Sequence, residues 1–137
     1  MSFDPHAPYG PVVTSTIRAV TWNVWGRYGT DREARQAGPD SDEIRMLTGR
    51  SATAAPGMVF YDAWEVAGDG SPGFTWSNRN PLAAVGLYPD RRFDYILSAW
   101  PRRGGVGHPT RCSLLGVRAP GEQQVSDHYG LAADLRY

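Results

Sequence analysis

A chain must bury apolar surface to fold, and a short supply of it is the tightest constraint on this one. Leu, Ile, Val and Phe number 25 of 137 residues, about 18%, in the range where a highly charged chain stays disordered. High charge is what this chain lacks. Fourteen basic and 14 acidic residues balance to a formal net charge of +0, and five Trp with seven Tyr restore apolar area, since each aromatic ring buries a large surface. The composition predicts a single globular domain with a thin core, for which 137 residues suffice.

The zero balance gives no whole-molecule field to draw in nucleic acid or acidic membranes. All 14 basic residues are Arg; with abundant Ala, Gly and Pro, that reads as a coding bias more than a phosphate signal. Basic pairs occur at Arg91-Arg92 and Arg102-Arg103, each readable as an anion contact or a solvated loop. Charge runs usually lie at the surface, which favours the loop for Arg102-Arg103. The lone Cys112 rules out an intramolecular disulfide and a cysteine-based zinc site. Its setting, RCSLLGV, predicts a small buried side chain. No N-terminal stretch suits a signal peptide and none is long enough to span a bilayer, so a cytoplasmic location is the default expectation.

Residues 1–15 read as a Pro-rich flexible tail and residues 16–137 as the domain. TIRAVTWNVW, residues 16–25, predicts a strand rich in β-branched and aromatic types. Asn23 falls at its C-terminal end, where open α/β sheets tend to place ligands. Asp40 as N-cap and Glu43 three residues on form a capping-box pattern for a helix through Ile44, Met46 and Leu47, stopping at Gly49. Asp62 is placed to cap a second short helix, AWEVAG, ending at Gly68. After the loop GDGSPG, FTW reads as a short strand. SNRNPLAAVGLYPDRR is irregular. FDYILSA, RCSLLGVR and YGLAADLRY then supply three more strands. The order suggests an α/β fold with mixed or antiparallel strands.

Four polar residues stand out against these strands. Asn23 either ends its strand by bonding neighbouring backbone or serves a site. Asp94 sits between Phe93 and Tyr95 in an apolar run, where an unpaired carboxylate costs several kcal/mol (order of magnitude), so it needs a partner. An Arg would make it structural; an imidazole would make it functional. Asp127-His128 reads either as a turn before the last strand or as a catalytic pair, whereas His108, in GVGHPT, reads as an exposed loop residue. Taken together, the chemistry is coherent. Phosphodiester hydrolysis needs charge neutralisation, a positioned water and help for the leaving oxygen. His128 can exchange a proton near neutral pH, and Asp94 on its other ring nitrogen would fix the tautomer. Asp127 offers a hard oxygen to Mg²⁺, and Asn23 a donor to phosphate or a contribution to the metal shell.

WNVWG, GFTWSNRNP followed by DRRFDYILS, and SDHYGLAADL together resemble the endonuclease/exonuclease/phosphatase superfamily, the DNase I-like group. The resemblance runs over residues 39–137 and returns at residues 16–29. It implies a two-sheet sandwich flanked by helices and Mg²⁺-dependent phosphoester hydrolysis. By it, Asn23 matches the first-strand asparagine and Asp94 the aspartate that orients the histidine. Asp127 and His128 match the terminal Asp-His pair, with Asp127 and Asn23 toward the metal.

The chain departs from that pattern by an internal deletion. The family's second-strand Glu metal ligand and its GDFN-type motif are both missing, and the join falls near Arg35-Gln36-Ala37. Glu33, Asp40 and Glu43 lie nearby in no matching context. Mg²⁺ binding is therefore expected to be weak or lost, and with it the activity. Deleted inner strands expose ladder edges that favour self-association. Three readings follow: a weak phosphoesterase acting on a phosphate ester, a non-catalytic remnant that binds phosphate or nucleic acid, and a gene fragment that does not fold stably.

Overall fold

The structure is a computed structural model, and it describes residues 15–21, 38–53, 55–99 and 102–137. Asn23 and the join at residues 35–37 lie outside the described residues. What is described is a mixed α/β arrangement of small antiparallel sheets with a few short helices. Strands β1 (Thr16–Thr21), β4 (Pro109–Leu115) and β5 (Gly130–Arg136) form a three-stranded sheet in the order β1-β5-β4. Strands β2 (Phe60–Asp62) and β3 (Leu97–Ala99) form a second, two-stranded one. Helices α1 (Asp42–Leu47), α2 (Ala63–Ala67) and α3 (Pro81–Ala84) are each one or two turns.

The last strand in sequence is the middle strand of its sheet. Its register sets Ile17 opposite Leu135 and Thr21 opposite Leu131 on one side, and Cys112 opposite Ala133 on the other. Alternation then puts Leu131, Ala133 and Cys112 on one face. That face packs on Ala63 and Trp64 of α2, with Ile96, Leu114 and Leu135 around them. The core is thin, as its composition requires. Among the described residues, the buried set holds ten hydrophobic side chains besides Pro109 and nine polar or charged ones, so hydrogen bonding must satisfy nearly as much of the interior as packing fills.

Helix α2 is built as its sequence suggests. Asp62 Oδ1 accepts from Trp64 N at 3.0 Å, and the helix closes at Gly68. The GDGSPG loop then wraps the Trp64 indole, whose Nε1 donates to Ser71 O at 2.9 Å. At Gly73 the backbone has φ +65, and a Cβ there would lie 2.2 Å from the indole, so only glycine permits this closure. Cys112 is buried, and desolvation pushes its thiol up to about 11.

Several expectations are corrected. The N-cap of α1 is Ser41, not Asp40: Ser41 Oγ accepts from Ile44 N, which moves Glu43 to the second helical position and dissolves the capping box. Gly49 (φ 74) ends that turn as expected. FTW is no strand, contributing only the isolated bridge Trp76–Arg91, and FDYILSA is a strand only over β3. His108 is half-buried, its ring edge-on to Tyr61 with centroids 6.3 Å apart. Arg102 and Arg103 are exposed, as read. No helix among the described residues is long and apolar enough to cross a membrane.

Candidate functional site

Asp94 finds the imidazole. Its Oδ2 lies 2.6 Å from His128 Nδ1, across 34 residues of sequence, with side-chain exposures of 11% and 1%. A carboxylate at this distance accepts a charge-assisted hydrogen bond, places the ring proton on Nδ1, and leaves Nε2 as the nitrogen that can exchange a proton. Among the described residues, no arginine pairs with Asp94, the bland alternative.

Two loops are brought together by one small residue. Thr75 is fully buried. Its Oγ1 accepts from Phe93 N at 2.9 Å and Asp94 N at 3.1 Å, while its carbonyl accepts from Tyr129 N at 2.7 Å. Its hydroxyl therefore holds the Asp94 segment and its backbone the His128 segment. The neighbouring bridge, Trp76 N to Arg91 O at 2.8 Å and Arg91 N to Trp76 O at 2.9 Å, ties the Thr75 stretch to the one that carries Asp94.

The His128 loop has its own supports. Ser126 Oγ accepts from His128 N at 3.1 Å, and Ser126 O accepts from Asn80 Nδ2 at 2.8 Å. Asn80 is fully buried and also N-caps α3, its Oδ1 accepting from Leu82 N at 3.0 Å. Around the imidazole stand Trp76, edge-on at 5.3 Å between centroids, and Phe93, tilted at 6.2 Å. Thr75, Asn80 and Trp76 were not expected as site residues. Asn80-Pro81 is a legible helix-start signal, with Asn at the cap and Pro at the first helical position. Nothing in FTW marks Thr75.

Asp127 is 5% exposed. Among the described residues, no group of three or more His, Cys, Asp or Glu side chains could hold a metal ion. Mg²⁺ needs an octahedral oxygen set in which protein carboxylates anchor several waters. Of the two residues expected toward it, Asp127 is a buried carboxylate and Asn23 lies outside the described residues; the site contact the described residues form is the one between His128 and Asp94.

Of the two readings of Arg91-Arg92, anion contact and solvated loop, neither holds for Arg92. Arg92 is 3% exposed and pairs with Asp62, whose side chain is 0% exposed; Arg92 Nη2 is 3.5 Å from Glu65 Oε1, and Glu65 in turn pairs with Arg50. The Arg92 guanidinium carbon lies 4.9 Å over the Tyr95 ring, whose hydroxyl donates to Arg92 O. Arg92 is a structural cation, and Arg91 is exposed. An open cleft of about 950 Å³ lies nearby, floored by Trp64 and Phe74 and walled by Arg50, Glu65, Asp90 and Arg91; neither His128 nor Asp94 lines it. No protein-family model, curated protein or solved structure matches this chain.

Proposed function

We propose that the chain is a reduced phosphoesterase of the endonuclease/exonuclease/phosphatase type, one that keeps the His–Asp half of the site and turns over weakly. The observation that carries the reading is the 2.6 Å contact between Asp94 and His128, made between the two residues that the sequence resemblance pairs. Hydrolysis of a phosphodiester joins a water oxygen to phosphorus and breaks a P–O ester bond, and the departing oxygen must take up a proton. His128 Nε2 supplies that proton, and the Asp94 carboxylate stabilises the ring while it carries charge, a division of labour worth roughly 10²–10⁴ in rate. The deletion accounts for the weakness, since residues acting as a unit lose far more than their share when some are removed.

The test is hydrolysis of bis(4-nitrophenyl) phosphate by the purified chain, with and without Mg²⁺. Slow turnover that falls at least about 10²-fold in His128→Ala supports the reading; turnover indifferent to His128→Ala sinks it. The 1% exposure of the His128 side chain favours a second reading, a non-catalytic phosphate-binding remnant in which the pair is structural. Salt-sensitive binding of a short oligonucleotide without turnover would select that alternative.

A further inference from the structure

Helices α1, α2 and α3 are capped by three different side chains, Ser41, Asp62 and Asn80, and the difference between the last two is chemical. Each caps its helix with one oxygen: Asp62 Oδ1 accepts from Trp64 N and Asn80 Oδ1 from Leu82 N, both at 3.0 Å. Aspartate and asparagine are about equal in that role. What separates them is the other terminal atom. At Asp62 it meets the Arg92 guanidinium, a donor, so an oxygen is needed. At Asn80 it meets the carbonyl of Ser126, an acceptor 2.8 Å away and 46 residues on, so a nitrogen is needed.

The tip of Asn80 is thus engaged in two directions that cannot be exchanged. Turning the amide over would set its oxygen against Ser126 O and its nitrogen against Leu82 N. The residue is 0% exposed. Its backbone is held as well, N donating to Ser77 O at 2.8 Å and O accepting from Ala83 N and Ala84 N, both at 3.0 Å. A buried polar group with its partners in place is a rigid point.

That point bears on one loop. Ser126, held through its carbonyl, accepts at Oγ from His128 N at 3.1 Å, and Tyr129 N is held by Thr75 O at 2.7 Å. The loop that carries the imidazole is therefore clamped on both sides of His128, while Asp94 holds the ring at Nδ1. These contacts govern different freedoms. The carboxylate fixes which nitrogen carries the proton. The clamps fix the backbone from which the ring hangs, and hence where Nε2 points.

We propose that Asn80 is a positioning residue for His128: by holding Ser126 O, its side-chain nitrogen sets the direction in which Nε2 delivers a proton. Asn80 touches no reacting atom and acts through Ser126. The catalytic consequence rests on the phosphoesterase reading; the hold on the imidazole does not.

Asn80→Asp tests this in the full chain, because it keeps the size and the cap and removes only the donor. The rings of Trp76 and Phe93 flank the imidazole, so ring currents make the NMR shifts of its Cε1 and Cδ2 protons a measure of its orientation. Those shifts should change in Asn80→Asp while the far-UV circular dichroism spectrum does not. Hydrolysis of bis(4-nitrophenyl) phosphate should lose kcat at least about tenfold with KM nearly unchanged, since a misplacement of about 1 Å can cost about 10²-fold. Asn80→Ser, an uncharged cap without the amide donor, should show the same changes free of the cost of a buried carboxylate. Unchanged ring shifts or unchanged kcat in the folded variants overturn the proposal, as does unfolding of both, which makes Asn80 a structural residue alone. A wild-type chain without turnover counts instead against the phosphoesterase reading, and the ring shifts still report whether Asn80 holds His128.

Discussion

Arg92 and Asp94 stand two residues apart, and each is half of a buried polar contact, but the two contacts do different things. Arg92 meets Asp62 and Glu65 under the Tyr95 ring. Its guanidinium is charged at every accessible pH, so the contact only holds β2, α2 and the 92–96 segment together. Asp94 meets a ring that can take or release a proton. One segment thus faces a guanidinium–carboxylate pair on one side and an imidazole–carboxylate hydrogen bond on the other. A chain with little aliphatic surface uses both to fill its interior, and only the second includes an imidazole.

The largest expected effect comes from removing the permanent cation. Arg92→Leu leaves Asp62 buried without its partner and should cost about 3–5 kcal/mol in urea unfolding, with much of that recovered when Asp62→Asn is added, because Asn still caps α2. A loss under about 1 kcal/mol would show that the pair is not the structural element described. Thr75→Val should follow, at roughly 2–3 kcal/mol, because two backbone N–H groups lose their acceptor; Thr75→Ser should restore most of it. This variant touches both sides of the comparison, since it frees the segment that carries Arg92 and Asp94.

Asp94→Asn should be milder, about 1–2 kcal/mol, as the amide oxygen can still accept from His128 Nδ1 without the charge. If it destabilises as much as Arg92→Leu, the two contacts are equally structural and the distinction fails. The smallest effect is at Asp90, which accepts from Asn78 N, Asn78 Nδ2 and Ser77 Oγ. Chiefly the Asn78 backbone bond holds its carboxyl below the ordinary range. A lowered folded value means that its stabilisation is complete above the unfolded carboxylate range and is lost as pH falls through the lowered value. Thermal melts of Asp90→Asn between neutral and acid pH should lose stability less steeply than wild type below about pH 4.

What the sequence shows depends on whether a residue's partner is local. Asp62 capping α2, the closing Gly68, and the strands at β4 and β5 are legible because cap and alternation are nearest-neighbour properties. The Asp94–His128 contact is legible as a need, since a carboxylate in an apolar run must be paired. The strand assigned to residues 93–99 fails at its first half because Thr75 Oγ1, a side chain 18 residues upstream, takes the amides of Phe93 and Asp94 that a ladder would have used. Ser41 displaces Asp40 for the opposite reason: both are good caps, and one residue of register decides between them. Arg92 reads as an anion contact or a solvated charge, and not as a buried partner, because nothing near it in sequence announces Asp62, 30 residues away.

The order β1-β5-β4 governs when this sheet can exist. The strand in the middle is translated after both of its neighbours, and Arg18 waits 116 residues for Asp134. Until β5 leaves the ribosome, β1 and β4 have no common template, and the face that will meet Trp64 stands open. Contacts this distant in sequence slow folding, and unpaired strands are exposed to aggregation meanwhile. Synthesis of this protein therefore passes through a long interval in which its first strand is finished and unhoused, and a holdase should matter more to its yield than a catalyst of any later step.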